Sequence, residues 1–191
     1  MKKSIGLFFS VVLSAVVANA QMPQSNLPRF VRWVDNNQAV INRKLNNEKE
    51  SKDYVYNLQT KQYAPAPAAL VSTDKSVFVK NANVYLKENG VETQLTNDAA
   101  EEKNPTLSPD GKFVGYTKNN NLYTFNIADK KETAITHEDT KGILNGYASW
   151  VYFEEIFGRP TQYRAFWWSP DSKYISFMRF DERKVPMFPI Y

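Results

Sequence analysis

The sequence predicts an all-β chain, a partial β-propeller of about three to four blades, with a short helical or irregular insertion that carries a pair of glutamates. Three observations predict it. A turn-and-strand unit recurs along the chain, and its aspartates are spaced at about one blade length. The composition also suits strands, with 14% aromatic residues and only 7 glycines among 191 residues.

Residues 1–20 read as a secretory signal peptide. Lys2 and Lys3 form a positive start, the stretch from Ile5 to Val17 is almost wholly apolar, and Ala18-Asn19-Ala20 supplies a small-x-small cleavage site. The apolar run is shorter than the about 20 residues a spanning helix needs. The expected mature chain starts at Gln21 and is exported, periplasmic or secreted, with no membrane attachment after cleavage. Without Lys2 and Lys3 the 24 basic residues fall to 22 against 20 acidic ones, so the net charge drops from +4 to +2. The remaining basic residues are scattered, which argues against nucleic acid as a partner. The chain has no cysteine, so its core alone must hold it together in an oxidising compartment.

Residues 21–191 then read as one partial N-terminal propeller domain. Ser108-Pro109-Asp110-Gly111-Lys112 precedes Phe113-Val114-Gly115-Tyr116, and Ser169-Pro170-Asp171-Ser172-Lys173 precedes Tyr174-Ile175-Ser176-Phe177. Weaker copies start at Trp33-Val34-Asp35 and at Ser72-Thr73-Asp74. Pro presets φ, Asp binds its own backbone and Gly accepts a positive φ, so Ser-Pro-Asp-Gly is a turn. Downstream in each unit, Asn83-Val84-Tyr85-Leu86 runs to Gln94-Leu95-Thr96, and Asn121-Leu122-Tyr123-Thr124 runs to Ala134-Ile135-Thr136. Tyr54-Val55-Tyr56-Asn57-Leu58 is a looser third copy. Each unit therefore reads as three strands joined by turns. Alternation of Phe113, Gly115 and Thr117 with Val114, Tyr116 and Lys118 gives its first strand two distinct faces.

Asp35 to Asp74 is 39 residues and Asp74 to Asp110 is 36, but Asp110 to Asp171 is 61. The excess, roughly 22 to 25 residues, is read as an insertion at about 137–165, and insertions in repeats fall in loops, commonly on the binding face. The sequence ends at Tyr191 inside the fourth unit, so the expected ring is open.

The insertion contains Ser149-Trp150-Val151-Tyr152-Phe153-Glu154-Glu155-Ile156-Phe157-Gly158-Arg159. Two adjacent carboxylates in an aromatic run allow two readings. They form the wet side of an amphipathic helix, or they grip a cation, since an ammonium group offers three donors to two carboxylates. Arg159 and Arg164 are near enough in sequence to offset the repulsion between the two acids.

Asn145-Gly146, Trp150-Val151-Tyr152, Glu154-Glu155, Phe157 and Phe166-Trp167-Trp168-Ser169-Pro170 together resemble the dipeptidyl peptidase IV family of prolyl-oligopeptidase-type serine peptidases. The likeness extends from about Asn83 to Tyr191. It implies that Glu154 and Glu155 are substrate-binding residues, holding the free α-amino group of a peptide. It also implies peptide partners with a free N-terminus, a homodimer as one assembly of the full-length protein, and no cofactor. The chain departs from the family at Phe153 and Ser149, where the family often has acids, which leaves dipeptidyl against tripeptidyl preference open.

The family cuts with a Ser-Asp-His triad on an α/β-hydrolase domain. No G-x-S-x-G elbow occurs here, the one histidine is His137 in a polar stretch, and a zinc ligand set is missing. No catalytic or metal-binding residue is assigned, and the catalytic domain is expected to lie outside this sequence. The leading expectation is the substrate-recognition region of an exported serine exopeptidase, inactive alone. The alternative is a non-enzymatic periplasmic propeller that binds partners. A glycosidase reading is disfavoured, because its two carboxyls face each other across the bond about 5 to 10 Å apart.

Overall fold

The computed structural model describes residues 27–46, 48–71 and 74–186. The signal peptide read at 1–20 and the Ser72-Thr73 start of one repeat copy lie outside the described residues. Within them the chain forms separate antiparallel sheets with no closed sheet. The first is a meander of β1 (Arg29–Asp35), β2 (Gln38–Arg43), β3 (Lys52–Asn57) and β4 (Tyr63–Pro65). The second contains β5 (Lys75–Lys80), β6 (Asn83–Glu88) and β7 (Val91–Gln94). The third runs β8 (Glu102–Leu107), β9 (Phe113–Lys118), β10 (Asn121–Asn126) and β11 (Lys131–Ala134). In the last unit β12 (Ile143–Asn145) pairs with β15 (Arg179–Asp181), and β13 (Phe166–Trp168) pairs with β14 (Ile175–Phe177). This is a partial propeller. No helix among the described residues is long and apolar enough to cross a membrane.

The recurring motifs are recurring hydrogen-bond sets. In the Ser108 turn the hydroxyl donates to Asp110 Oδ1 at 2.6 Å and accepts the Phe113 amide at 3.0 Å. In the Ser169 turn the hydroxyl donates to Asp171 Oδ1 at 2.7 Å and accepts the Tyr174 amide at 2.9 Å. The second motif repeats as closely. Thr96 Oγ1 accepts the Val84 amide at 2.8 Å, and Thr136 Oγ1 accepts the Leu122 amide at 3.0 Å. Asn83 Oδ1 accepts the Asp98 amide, and Asn121 Oδ1 accepts the Glu138 amide. An asparagine and a threonine thus tie the chain that follows β7 or β11 back onto the preceding strand, β6 or β10, which is why both types recur at these positions.

The turns also join neighbouring sheets. The Asp110 amide donates to Ser172 Oγ at 2.9 Å, and Arg32 Nη2 donates to the Pro109 carbonyl at 3.4 Å.

Two details differ from the three-strand unit read in the sequence. The first and third sheets have a fourth strand, and in the third this is β8, ahead of Ser108. β8 holds Pro105 and places Asn104 at φ 57°, with a register shift between Lys103 and Thr106. A proline and a bulge mask it as a strand. In the first sheet Trp33 and Val34 belong to β1 itself, and only Asn36 and Asn37 form the turn, with the Asn37 amide bound to Asp35 Oδ1 at 2.7 Å.

The β5–β6 hairpin turns through Asn81 (φ 52°) and Ala82 (φ 65°). Two positive φ values suit the right-handed strand twist, but Ala82 carries a Cβ into the left-handed region. Ala82→Gly is expected to stabilise the chain by about 0.5–1 kcal/mol. A higher urea midpoint at unchanged slope would show it.

The core sits between sheets two and three, where Val84, Val114, Tyr116 and Phe125 form one buried cluster. β9 is covered along almost its whole length, whereas β7 is an exposed outer strand.

Candidate functional site

Between β12 and β13 the chain leaves the sheets and returns. The Ala148 amide donates to the Tyr163 carbonyl at 2.7 Å, Tyr147 pairs with Arg164, and the Ala165 amide returns to Gly146 at 2.9 Å. Residues 148–163 are therefore an excursion pinched at its base. Trp150 and Val151 start a helical turn that continues as a π-helical segment, Tyr152–Phe157, ended by Gly158 at φ 78°.

The wider π turn brings residues five apart onto one face. Tyr152 and Phe157 have ring centroids 6.0 Å apart, and Tyr152 packs edge-on against Phe180 at 4.9 Å. Phe153 stacks on Tyr163 at 3.9 Å, and Tyr163 stacks on Tyr147 at 5.0 Å. Tyr152, Phe153 and Phe157, with Ala148, Ala165 and Phe180, form a small separate core under the excursion. Phe153, which stands where the resembled family often has an acid, is a packing residue here.

Anchoring the rings inward leaves Glu154 half-buried and Glu155 and Ile156 exposed. Arg159 grips Glu154 with two bonds, Nε to Oε2 at 2.9 Å and Nη2 to Oε1 at 2.8 Å. Glu155 takes no ion pair among the described residues. Arg164 does not join the pair. It turns the other way, donating Nη1 to Thr106 Oγ1 at 3.3 Å. His137 is exposed in the connection after β11.

A second charged group escaped sequence reading. Lys118, at the end of β9, donates to Asp98 Oδ2 at 2.5 Å and to Glu132 at 2.9 and 3.0 Å, and lies 3.8 Å from Glu102 Oε1. Burial works against the Lys118 charge, but the bonds to Asp98 and Glu132 outweigh it and hold its pKa above the ordinary lysine value. Burial pushes the Glu102 carboxyl up, against the Thr96 hydroxyl and the Val84 amide that favour its charge. Tyr116 donates its hydroxyl to Glu132. Asp98, Glu102 and Glu132 bring carboxylate oxygens within 4.8 Å of one another, the geometry of a metal cage, but the Lys118 ammonium already supplies the cation. The available signal was the alternation in β9, which puts Lys118 on the same face as Val114 and Tyr116. A lysine in such company needs acids beside it.

Comparison with known proteins shows what the chain is similar to. Residues 99–191 match the family described as the dipeptidyl peptidase IV (DPP IV) N-terminal region. A probable dipeptidyl-aminopeptidase B of Talaromyces stipitatus is 43% identical over 83 residues, covering 44% of this chain and 9% of that protein. One of Pyrenophora tritici-repentis is 34% identical over 117 residues, covering 59% of this chain and 13% of that protein. Among solved structures, Porphyromonas gingivalis dipeptidyl peptidase 4 superposes with a TM-score of 0.49 at 21% identity, over 83% of this chain and 26% of that one. The matched stretch spans about a tenth of the length of these curated relatives. These matches support a dipeptidyl peptidase IV N-terminal region over residues 99–191.

Proposed function

We propose that this chain is the substrate-recognition region of an exported, dipeptidyl-peptidase-related serine exopeptidase, and that Glu154 and Glu155 receive the free α-amino group of a peptide. The observation that carries the reading is that both glutamates fall inside the family match and share one π-helical turn, Glu155 exposed and Glu154 balanced by a side chain able to let go. The aromatic residues beneath hold the turn, so the carboxylates need little ordering when a ligand arrives. The ligand ammonium replaces the Arg159 guanidinium on Glu154 and adds Glu155. Export follows from the signal peptide read at 1–20, and proteolysis belongs to a hydrolase domain encoded with this region.

The test is calorimetric titration of the chain with a dipeptide bearing a free N-terminus and with its N-acetylated form. Glu155→Gln is expected to weaken the free dipeptide by about tenfold or more, the value of a charge-assisted bond. It should leave the acetylated peptide unchanged. Equal losses on both peptides, or equal binding of both by the unaltered chain, would overturn the reading. Affinity for the free dipeptide is also expected to fall as pH rises above about 8, where an α-amino group loses its proton.

A further inference from the structure

We propose that a cleft between β5, the β8 bulge and the end of the excursion binds a carboxylate, with Arg164 as its cationic anchor. The site is separate from Glu154 and Glu155 and does not depend on their role.

The cleft has a volume of about 430 Å³, and its walls include Val77, Phe78, Asn104, Thr106, Pro160 and Arg164. Among the described residues Arg164 is the only charged side chain lining it. A guanidinium carries five N–H donors and stays charged at any physiological pH. Among the described residues Arg164 makes one side-chain hydrogen bond, to Thr106, and no ion pair. Its Nε is buried with no partner. The nearby Arg159, Arg179 and Arg183 each hold a carboxylate. Burial alone lowers the Arg164 pKa, with no acid opposing it.

Asn104 repeats the pattern. The bulge in β8 holds it at φ 57°, it lines the same cleft, and its Nδ2 is buried without a partner. Two donor groups with nothing to donate to therefore meet in one concavity. Burying an unpaired cation is costly, and an apolar side chain of the same length would avoid that cost. A planar guanidinium fork with an amide beside it suits the two oxygens of a carboxylate. Val77, Phe78 and Pro160 give the wall an apolar part beside the polar Thr106, Thr161 and Gln162, so a carboxylate on a short hydrocarbon stem suits it. A free small carboxylic acid and the C-terminal carboxylate of a peptide share that chemistry.

The experiment titrates the chain with butyrate, with an N-acetylated dipeptide ending in a free carboxylate, and with that peptide as its C-terminal amide. Acetylation keeps the glutamate pair out of the measurement. The unaltered chain is expected to bind butyrate or the peptide acid and to ignore the amide. Butyrate binding at least as tight as the peptide acid identifies a free small acid as the source, and tighter binding of the peptide acid identifies a peptide terminus. Arg164→Gln is expected to lose about tenfold or more in affinity, and Arg164→Lys to recover only part, because a single ammonium lacks the fork. In carboxylate-free buffer Arg164→Met should melt at or above the temperature of the unaltered chain, and butyrate should raise the melting temperature of the unaltered chain only. Failure of both carboxylates to bind, equal binding by Arg164→Gln, or a lowered melting temperature of Arg164→Met without ligand would each overturn the proposal.

Discussion

Lys118→Met is expected to destabilise the chain by about 3–5 kcal/mol, the loss typical when one partner of a buried ion cluster is removed. The lysine side chain is only 9% exposed and Glu102 is fully buried. Without the ammonium, Asp98, Glu102 and Glu132 face one another across less than 5 Å with no counter-charge. Urea denaturation at neutral pH measures the loss.

The pH dependence separates the members of the cluster. The folded Glu102 carboxyl holds its proton more tightly than in the unfolded chain, so its contribution is full below the ordinary carboxyl range and fades as pH rises through the folded value. Asp98 runs the other way. Burial opposes its charge, but the Lys118 bond prevails and lowers its pKa, so its contribution is present at neutral pH and is lost on acidification. The raised Lys118 pKa adds a contribution lost only in strong alkali. Glu102→Gln, which is neutral at every pH, should therefore differ least from the unaltered chain in acid. A constant difference from pH 4 to pH 8 would contradict the raised Glu102 value.

Phe166→Ala is expected to cost about 3–5 kcal/mol, as for other fully buried aromatic side chains cut back to a methyl. Phe166 is completely buried. Its ring occupies space left by two glycines on different elements. A Cβ on Gly115 of β9 would stand 3.0 Å from the ring, and one on Gly146 would stand 3.4 Å from it. Phe166 is thus the side chain that seats the last unit on the third sheet. Gly115→Ala should also destabilise, because its methyl would meet Ile175 at 3.1 Å as well. Combined with Phe166→Ala, the same substitution should cost less than alone, since the new methyl enters the space the ring has left. Strict additivity in urea denaturation would argue that the two residues do not share one contact.

The parts legible in the sequence are those whose chemistry is local. Ser108-Pro109-Asp110 closes its own turn within a few residues, and Asn121 with Thr136 ties one strand to the chain that follows, so both announce themselves as repeats. What was not legible depends on distant partners. β8 hides behind Pro105 and a bulge. β12 and β15 are too short to read alone and exist because they pair across the whole excursion. The glutamate pair was visible as residue types, but which arginine serves it was not. Arg159 reaches Glu154 because the chain reverses at Gly158, whereas Arg164 lies past the pinch and faces β8. The Lys118 cluster gathers residues 98, 102, 118 and 132, and only the one lysine on an apolar face hinted at it.

Ser172 stands where the matching turn has Gly111, and it keeps the same left-handed backbone at φ 63°. A glycine would relax that position, yet it would also delete the hydroxyl that receives the Asp110 amide from the adjoining sheet. One side chain thus exchanges local ease for lateral spacing. The glycine turn offers its neighbours only backbone groups, the Asp110 amide and the Pro109 carbonyl, whereas the serine turn adds a side chain that works as a rivet against hinging between neighbouring sheets.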